Sequence, residues 1–484
     1  MADSRLPRPS APAGVVDLSR TRRVHIVGIG GAGMSAIATV LMDMGHRVSG
    51  SDAADSKALR RLAARGADVH VGHDPSWLGE AEVVATSTAI PYDDVEVVEA
   101  ARRGLRVWRR AELLHAICAT RRTIAVAGTH GKTSTSSMLA LILGHAGLHP
   151  SFIIGGDIVG VGPGGVWDPD GEWMVVEADE SDGTFLELGA EAVVVTNVEP
   201  DHLDFYGDER ALRNAFARFV DQAHGPRVLC ADDSGAASLA AATATDRETI
   251  TYGISETADV RIEDLGFGRA DSLFSIRHEG DLWGPFELSS PGLLYVRNAV
   301  AALSMAYALG VPWERGGAAL AGYRGVVRRF ERRGEHNGVT FVDDYGHLPT
   351  EVADTLSAAR GGGWTRVVAV FQPHRFSRTA SLWPAFGDAF VGADVLLVTD
   401  VYSAGEHPRA GVTGRLIVDA VRTAHPNADV RYVPTLDNAA SELARILQPG
   451  DLCLTLGAGD LTTLPDRFLG PAGAADDQEG AEHG

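Results

Sequence analysis

The sequence predicts an α/β chain made of three successive parallel-sheet units, and three observations carry that prediction. The chain has 484 residues, which corresponds to roughly three domains at ~150 residues each. Short apolar, β-rich runs alternate with helical patterns along most of its length, as βαβ units require. Two glycine turns each follow such a run directly: Gly28-Ile29-Gly30-Gly31-Ala32-Gly33 after Val24–Val27, and Gly128-Thr129-His130-Gly131-Lys132-Thr133 after Thr123–Ala127.

Residues 1–20 are polar and Pro-containing without a signal-peptide core, and are expected to be disordered. Residues 21–118 form the first unit, with strand candidates at Val24–Val27, Ala81–Thr86 and Arg106–Trp108. Residues 119–326 form the second, opening on the second glycine turn. Its strands Trp173–Glu177 and Ala192–Asn197 are continuous apolar runs ending in polar residues, the pattern of a strand buried on both faces with functional groups at its carboxyl end. From Ile250 to Leu288 the pattern alternates and lacks helices, predicting an antiparallel insertion; Arg297–Leu309 and Trp313–Tyr323 then read as helices. Residues 327–470 form the third unit, with strands at Thr340–Asp344, Arg366–Phe371, Val395–Thr399 and Leu452–Leu456. Residues 471–484 are a Gly/Ala/acidic tail expected to be disordered.

Composition removes several function classes. The net charge of −21 argues against nucleic acid, which needs a surplus of Lys and Arg. No apolar run approaches the ~18 residues of a membrane span, so no membrane insertion is expected. Cys118, Cys230 and Cys453 match no metal spacing and sit in or beside apolar stretches, so they read as reduced core thiols of a cytoplasmic protein.

The second turn carries chemistry. A buried strand, a glycine turn and a helix N-terminus let successive backbone N–H groups and the helix dipole hold phosphate oxygens, with a lysine reaching the terminal phosphates. Lys132 is that lysine, and Thr133 is placed to ligate Mg2+. Val126 stands where a full P-loop pattern has its first glycine. The chain is therefore expected to bind ATP at Gly128, Thr129, His130, Gly131, Lys132, Thr133 and Ser134. The carboxylate cluster Glu177–Asp182 and the group Asn197, Asp201 and His202 follow the next strands, where Mg-ATP would find its protein carboxylate. The first turn satisfies G-x-G-x-x-G, with Asp52 at the ribose position of a dinucleotide fold; NAD and a nucleotide sugar are both open ligands for it.

Taken together, Gly28–Ser35, Gly50–Asp52, Ala127–Thr133, Glu177–Asp182, Thr196–Asp204, Arg328–Phe330, Asp343–His347, Phe371–Thr379 and Asp400–Thr413 resemble the Mur ligase family, in family order from about residue 22 to 470. The resemblance implies a Rossmann-like N-terminal UDP-binding domain, a central P-loop ATPase-type domain and a C-terminal Rossmann-like domain. It also implies an ATP- and Mg2+-dependent (or Mn2+-dependent) joining of L-alanine to the carboxylate of UDP-N-acetylmuramate through an acyl phosphate, in peptidoglycan precursor synthesis. Under it, Lys132 contacts the β- and γ-phosphates, Thr133 and Glu177 hold one Mg2+, and His202 holds a second. Asn298, Arg329 and Asp344 bind the adenine nucleotide, while Tyr345, His347, Arg375 and Arg378 line the amino-acid and carboxylate side. Gly28, Gly30, Gly31, Gly33, Met34, Ser35, Asp52, Ser87 and Thr88 take the UDP-sugar in place of NAD.

Three positions depart from the family pattern. Leu294, Tyr295 and Leu348 stand where His, Asn and His are usual, and the first two remove hydrogen-bonding groups beside the nucleotide. Two other readings stay open: a divergent ligase for another amino acid, peptide or carboxylate (muropeptide recycling included), and a non-catalytic nucleotide-sugar-binding regulator. Retention of Lys132, Thr133, Glu177, His202, Arg329 and Asp344 counts against the regulator.

Overall fold

Strands β1 (Arg23–Val27), β2 (Arg47–Asp52), β3 (Asp68–Val71), β4 (Val83–Thr86) and β5 (Val107–Arg109) form the first sheet of a computed structural model that describes residues 16–242 and 248–470. All its pairings are parallel, in the order β3-β2-β1-β4-β5. β1 is buried on both faces beyond Arg23, hence its unbroken apolar run. The chain reverses its direction of travel between β1 and β4, opening a crevice at their carboxyl ends, the place where such sheets bind ligands. Gly28–Gly33 and Ser87–Thr88 both sit there.

The second sheet has ten strands: β6 (Arg122–Ala127), β7 (Ser151–Ile153), β8 (Gly165–Val166), β9 (Trp173–Glu177), β10 (Ala192–Val195), β11 (Arg227–Cys230), β12 (Thr249–Gly253), β13 (Val260–Phe267), β14 (Ser272–His278) and β15 (Asp281–Leu288). Their order is β15-β14-β13-β12-β11-β10-β6-β9-β7-β8. The antiparallel insertion expected over Ile250–Leu288 begins later, at β13: β12, at its predicted start, pairs parallel with β11, and β13 pairs parallel with β12 before β14 and β15 turn back, so the insertion continues the main sheet. The second crevice lies between β6 and β10, and the phosphate loop occupies it.

The third sheet is β16 (Glu331–His336), β17 (Val339–Asp344), β18 (Arg366–Phe371), β19 (Val395–Val398), β20 (Val430–Tyr432) and β21 (Asp451–Leu456), ordered β16-β17-β21-β18-β19-β20. The edge strands β16 and β20 were not predicted. Edge strands need not be apolar, and the Glu-Arg-Arg-Gly-Glu-His sequence of β16 carries no β signal of its own.

One buried apolar cluster runs through the first two units, and two others cover the two faces of the third sheet. The first two units merge because helix Ala32–Asp43 lies directly on β8: a Cβ at Gly165 would collide with the backbone of Ala36. Within the segment expected to be disordered, residues 16–20 are described and alternate buried with exposed positions before Ser19 and Arg20, both exposed. Val16 and Leu18 are buried in that first core, and Asp17 accepts hydrogen bonds from Arg22. The rest of the predicted disordered segments, 1–15 and 471–484, lies outside the described residues. The helix expected at Arg297–Leu309 begins earlier, at Leu293, and runs to Ala308; the next spans Trp313–Leu320. Among the described residues no helix is long and apolar enough to cross a membrane. Cys118, Cys230 and Cys453 are buried free thiols, and burial pushes Cys118 and Cys453 up to about 12.

Candidate active site

The phosphate loop is shaped by the strand next to it. Gly128 and Gly131 take φ +136° and +79°, backbone that L side chains rarely adopt. At Gly128 a Cβ would collide with Thr196 Oγ1, and at Gly131 with Asn298 Oδ1. Beyond β10, Asn197 Oδ1 accepts the His130 N–H at 2.8 Å and Asn197 Nδ2 donates to the His130 carbonyl at 3.1 Å. The loop is thereby fixed before helix Lys132–His145 begins.

Carboxylates surround its lysine. Lys132 Nζ donates to the Gly128 carbonyl (2.6 Å) and to Glu180 (3.0 Å). Burial by itself would lower its pKa, but Glu180, Asp179 and Glu177 outweigh burial and raise it, so the ammonium stays charged. Thr133 Oγ1 donates to Glu177 Oε1 at 3.2 Å, and the Gly155 N–H to Glu177 Oε2 at 2.8 Å. These are hard oxygen donors of the kind Mg2+ takes. Ser134, also expected at the nucleotide, is buried in the first helical turn.

Across the cleft, Asp344 at the end of β17 accepts N–H bonds from Phe330 (2.7 Å) and Gly346 (2.8 Å). Burial raises its pKa to about 6, against the pull of Arg329. Tyr295, one turn before Asn298 on the same helix, places its hydroxyl 3.4 Å from Asp344 Oδ2, so the family's lost amide is replaced by a buried phenol. Asn298 packs on Gly131 while its Nδ2 is buried without a partner, an unfilled donor beside the phosphate loop. Arg329 lies over the Tyr345 ring at 5.0 Å. His347 stands 5.5 Å from that ring and 5.6 Å from His374, and burial pushes His347 down to about 4.

The first loop is built differently. Gly30 donates its N–H to Asp52 Oδ2 at 2.9 Å, so Asp52 braces the turn. A Cβ at Gly28 would lie 2.9 Å from Ser87 Cβ, which brings the ends of β1 and β4 together. Arg110 donates to Asp179 (2.9 Å) and Asp182 (3.2 Å), and Arg61 to Asp157 (2.5 Å), joining first and second units. Between them lies a cavity of about 730 Å³ whose walls include Gly30, Ser35, Arg61, Thr133, Glu177, Arg329 and Tyr345, contributed by all three units.

The structure brings together Gly30, Ser35, Thr133, Glu177, Arg329 and Tyr345, while other expected residues stand apart from that cavity. The Met34 side chain is buried in the core, on the packed face of its helix. His202 does not join Thr133 and Glu177. It holds a left-handed φ of 54° with its ring against Asp201 at 3.2 Å. Arg378 is 3.2 Å from His374 Nδ1 and 3.9 Å from Asp201, and Arg375 heads the same helix at φ +70°; neither lines the cavity. Thr88 is exposed, and Ser87 and Gly31 to Gly33 rim the first loop. Among the described residues the only His/carboxylate trio at metal-ligand spacing is His73, Asp94 and Glu96. There Glu96 already accepts from Ser51 and the Asp74 N–H.

Sequence reasoning missed Glu180, Glu199, Glu351, Arg61 and Arg110. Glu180 was signalled by its place in the Glu177–Asp182 cluster. Glu351 and Arg110 had no signal, since each reads as an ordinary charged residue on a helix's first turn.

Comparison with known proteins agrees with this geometry. Models described as Mur ligase family, catalytic domain; Mur ligase middle domain; and Mur ligase, glutamate ligase domain match residues 23–122, 126–306 and 328–459. The chain is 48% identical over 466 residues to a UDP-N-acetylmuramate–L-alanine ligase of Kineococcus radiotolerans, covering 94% of this chain and 98% of that one. It is 45% identical over 447 residues to the ligase of the same name from Rhizobium meliloti, covering 91% and 94%. The crystal structure of a UDP-N-acetylmuramate–alanine ligase from Thermotoga maritima superposes with TM-score 0.78 at 27% identity, over 93% of this chain and 98% of that one. The protein belongs to the Mur ligase family, ATP-dependent ligases that use ATP and Mg2+.

Proposed function

We propose that the protein joins the amino group of L-alanine to the carboxylate of UDP-N-acetylmuramate, with ATP converted to ADP and phosphate, in the cytoplasmic synthesis of peptidoglycan precursors. One observation carries this reading: Thr133 of the phosphate loop and Glu177 line the same cavity as Gly30 of the first glycine loop and the third unit's Arg329 and Tyr345.

In this reading a substrate carboxylate oxygen attacks the γ-phosphorus and the bond to ADP breaks. The amine nitrogen then attacks the acyl carbon, a tetrahedral intermediate collapses, inorganic phosphate leaves and the amine loses a proton. Phosphoryl transfer demands positioning and charge neutralisation more than covalent help. Lys132 would exchange its bonds to Gly128 and Glu180 for β- and γ-phosphate oxygens. Thr133 and Glu177 would hold Mg2+, and His202, steadied by Asp201, a second Mg2+ or Mn2+; the metal, when bound, neutralises phosphate charge. Asn298, Arg329 and Asp344 would take the adenine nucleotide, and the unpartnered Asn298 amide supports that placement. Tyr345, His347, Arg375 and Arg378 would face the amine and carboxylate. Gly28, Gly30, Gly31, Gly33, Ser35, Asp52, Ser87 and Thr88 would hold the UDP-sugar. Three units around one cavity allow closure that keeps water from the acyl phosphate.

The deciding measurement is phosphate and ADP release with UDP-N-acetylmuramate and each amino acid in turn, with the recycling peptide as competitor. L-alanine is expected to stimulate most, and hydroxylamine to trap an acyl hydroxamate when no amine is supplied. Stimulation by the peptide or another amino acid in place of L-alanine would overturn the acceptor assignment; no ATP turnover with any of them would overturn the ligase reading.

A further inference from the structure

Glu351 belongs to the third unit, on the first turn of helix Pro349–Gly361, yet its carboxylate faces the phosphate loop of the second. Its Oε1 stands 3.4 Å from His130 Nδ1 and 3.9 Å from Arg329 Nη1. Its Oε2 accepts the backbone N–H groups of His347 (2.9 Å) and Leu348 (3.2 Å). On the opposite edge of the same imidazole, His130 Nε2 lies 3.0 Å from Glu199, a residue of the second unit. Glu199 in turn accepts from Thr350 Oγ1 of the third unit at 2.8 Å. One buried ring is thus clamped between two carboxylates, and each carboxylate is tied to the turn 347–350.

The main chain of His130 is pinned inside the loop by Asn197, so the ring cannot shift unless the loop shifts. Burial would lower its pKa, but Glu199 and Glu351 outweigh burial and raise it to about 10, so the ring is a cation hydrogen-bonded to Glu199 through Nε2 and ion-paired, without a hydrogen bond, to Glu351 through Nδ1. The turn at the far end of the clamp carries His347, next to Tyr345. We propose that Glu351 is a positioning residue: through His130 it ties the phosphate loop to the turn bearing His347, so that nucleotide bound at the loop sets the geometry of the amine side. This rests on the ATP and amino-acid placements given under the proposed function. Glu351 touches none of the reacting atoms in that scheme. Its alternative role is only to cap its helix, and a glutamine would keep that cap, because the amide oxygen still accepts N–H bonds.

The test uses the full chain as wild type, Glu351→Gln, His130→Asn and the double variant. Hydrogen exchange over residues 343–352 is followed with and without Mg2+ and a non-hydrolysable ATP analogue. Nucleotide is expected to protect this segment in the wild type and not in either single variant. In Glu351→Gln analogue affinity should change little, while the KM for the amino acid rises about tenfold, in the usual range of coupling between sites. Because both variants cut the same link, the double variant should be no worse than the worse single one. Undiminished protection in Glu351→Gln, or single effects that multiply in the double variant, would overturn the clamp. Should Glu351→Gln fail to fold, His130→Asn with Thr350→Val, which cuts the Glu199 arm, carries the same test: protection retained in both overturns it. A wild type that binds no nucleotide overturns the ATP reading and the clamp with it; binding with protection equal in all variants overturns the clamp alone.

Discussion

The two glycine loops are built from the same parts and surrounded by different ones. Each follows a strand buried beyond its first residue, enters a helix and sits where its sheet reverses direction. At 28–33 the loop is braced by one carboxylate, Asp52, and its helix opens with no lysine. At 128–133 the loop carries Lys132, and Glu177, Glu180, Glu199 and Glu351 gather around it. A glycine turn at a strand end supplies backbone N–H groups for an anion in either case. The charge around it decides whether the loop only holds a phosphate or also handles one in transfer. The lesson is that the shared motif predicts binding, whereas its surroundings predict chemistry.

Lys132→Ala gives the largest effect expected from that contrast. ADP release should fall by about 10²–10³, the range for removing one charge-stabilising donor, with UDP-sugar affinity by calorimetry nearly unchanged. Equal loss of both would mean that the two loops do not divide the work. Gly28→Ala is the matching change at the first loop. It forces a side chain into φ +80° and against Ser87, at a cost of about 1–2 kcal/mol. UDP-sugar affinity should weaken about 5–30-fold while ATP-analogue affinity is kept; weakening of both would erase the distinction.

A pH series sharpens the second site. Asp344 has its pKa raised to about 6, so it gains its proton as pH falls from 7 to 5, and the KM for ATP should rise over that interval. Asp344→Asn should flatten the profile; a profile unchanged by the substitution would place the titration elsewhere. For stability the same shift has the opposite sign. The folded state holds this proton more tightly than the unfolded chain, so the contribution is full below the ordinary carboxyl value of 3.8 and is lost as pH rises through about 6. The smallest effect is expected from Tyr295→Phe, which removes a long hydrogen bond to Asp344 and should cost about 0.5–1.5 kcal/mol in denaturant unfolding. No loss there would mean that the phenol is in place for its ring alone.

Both glycine loops, the parallel-sheet units and the strand ends bearing Glu177 and Asp344 were legible because each is a local pattern. A strand buried on both faces reads as an apolar run, and a turn that needs positive φ reads as glycine. The antiparallel insertion was legible for the same reason, while the polar edge strand β16 was not. The packing of Met34 was not legible, because a helix presents one face to the crevice and another to the core, and the motif alone does not say which residue falls on which.

By itself, the sequence determined that three α/β units follow one another and that two of them carry a glycine turn between a buried strand and a helix, since strand burial and loop conformation depend on neighbouring residues. Only the tertiary structure decided that the loops share one cavity, that Lys132 is countered by Glu180, and that His130 lies between Glu199 and Glu351. Those are contacts between residues distant in the chain. Electrostatic strength depends on separation and burial in space, which no order of residues encodes on its own.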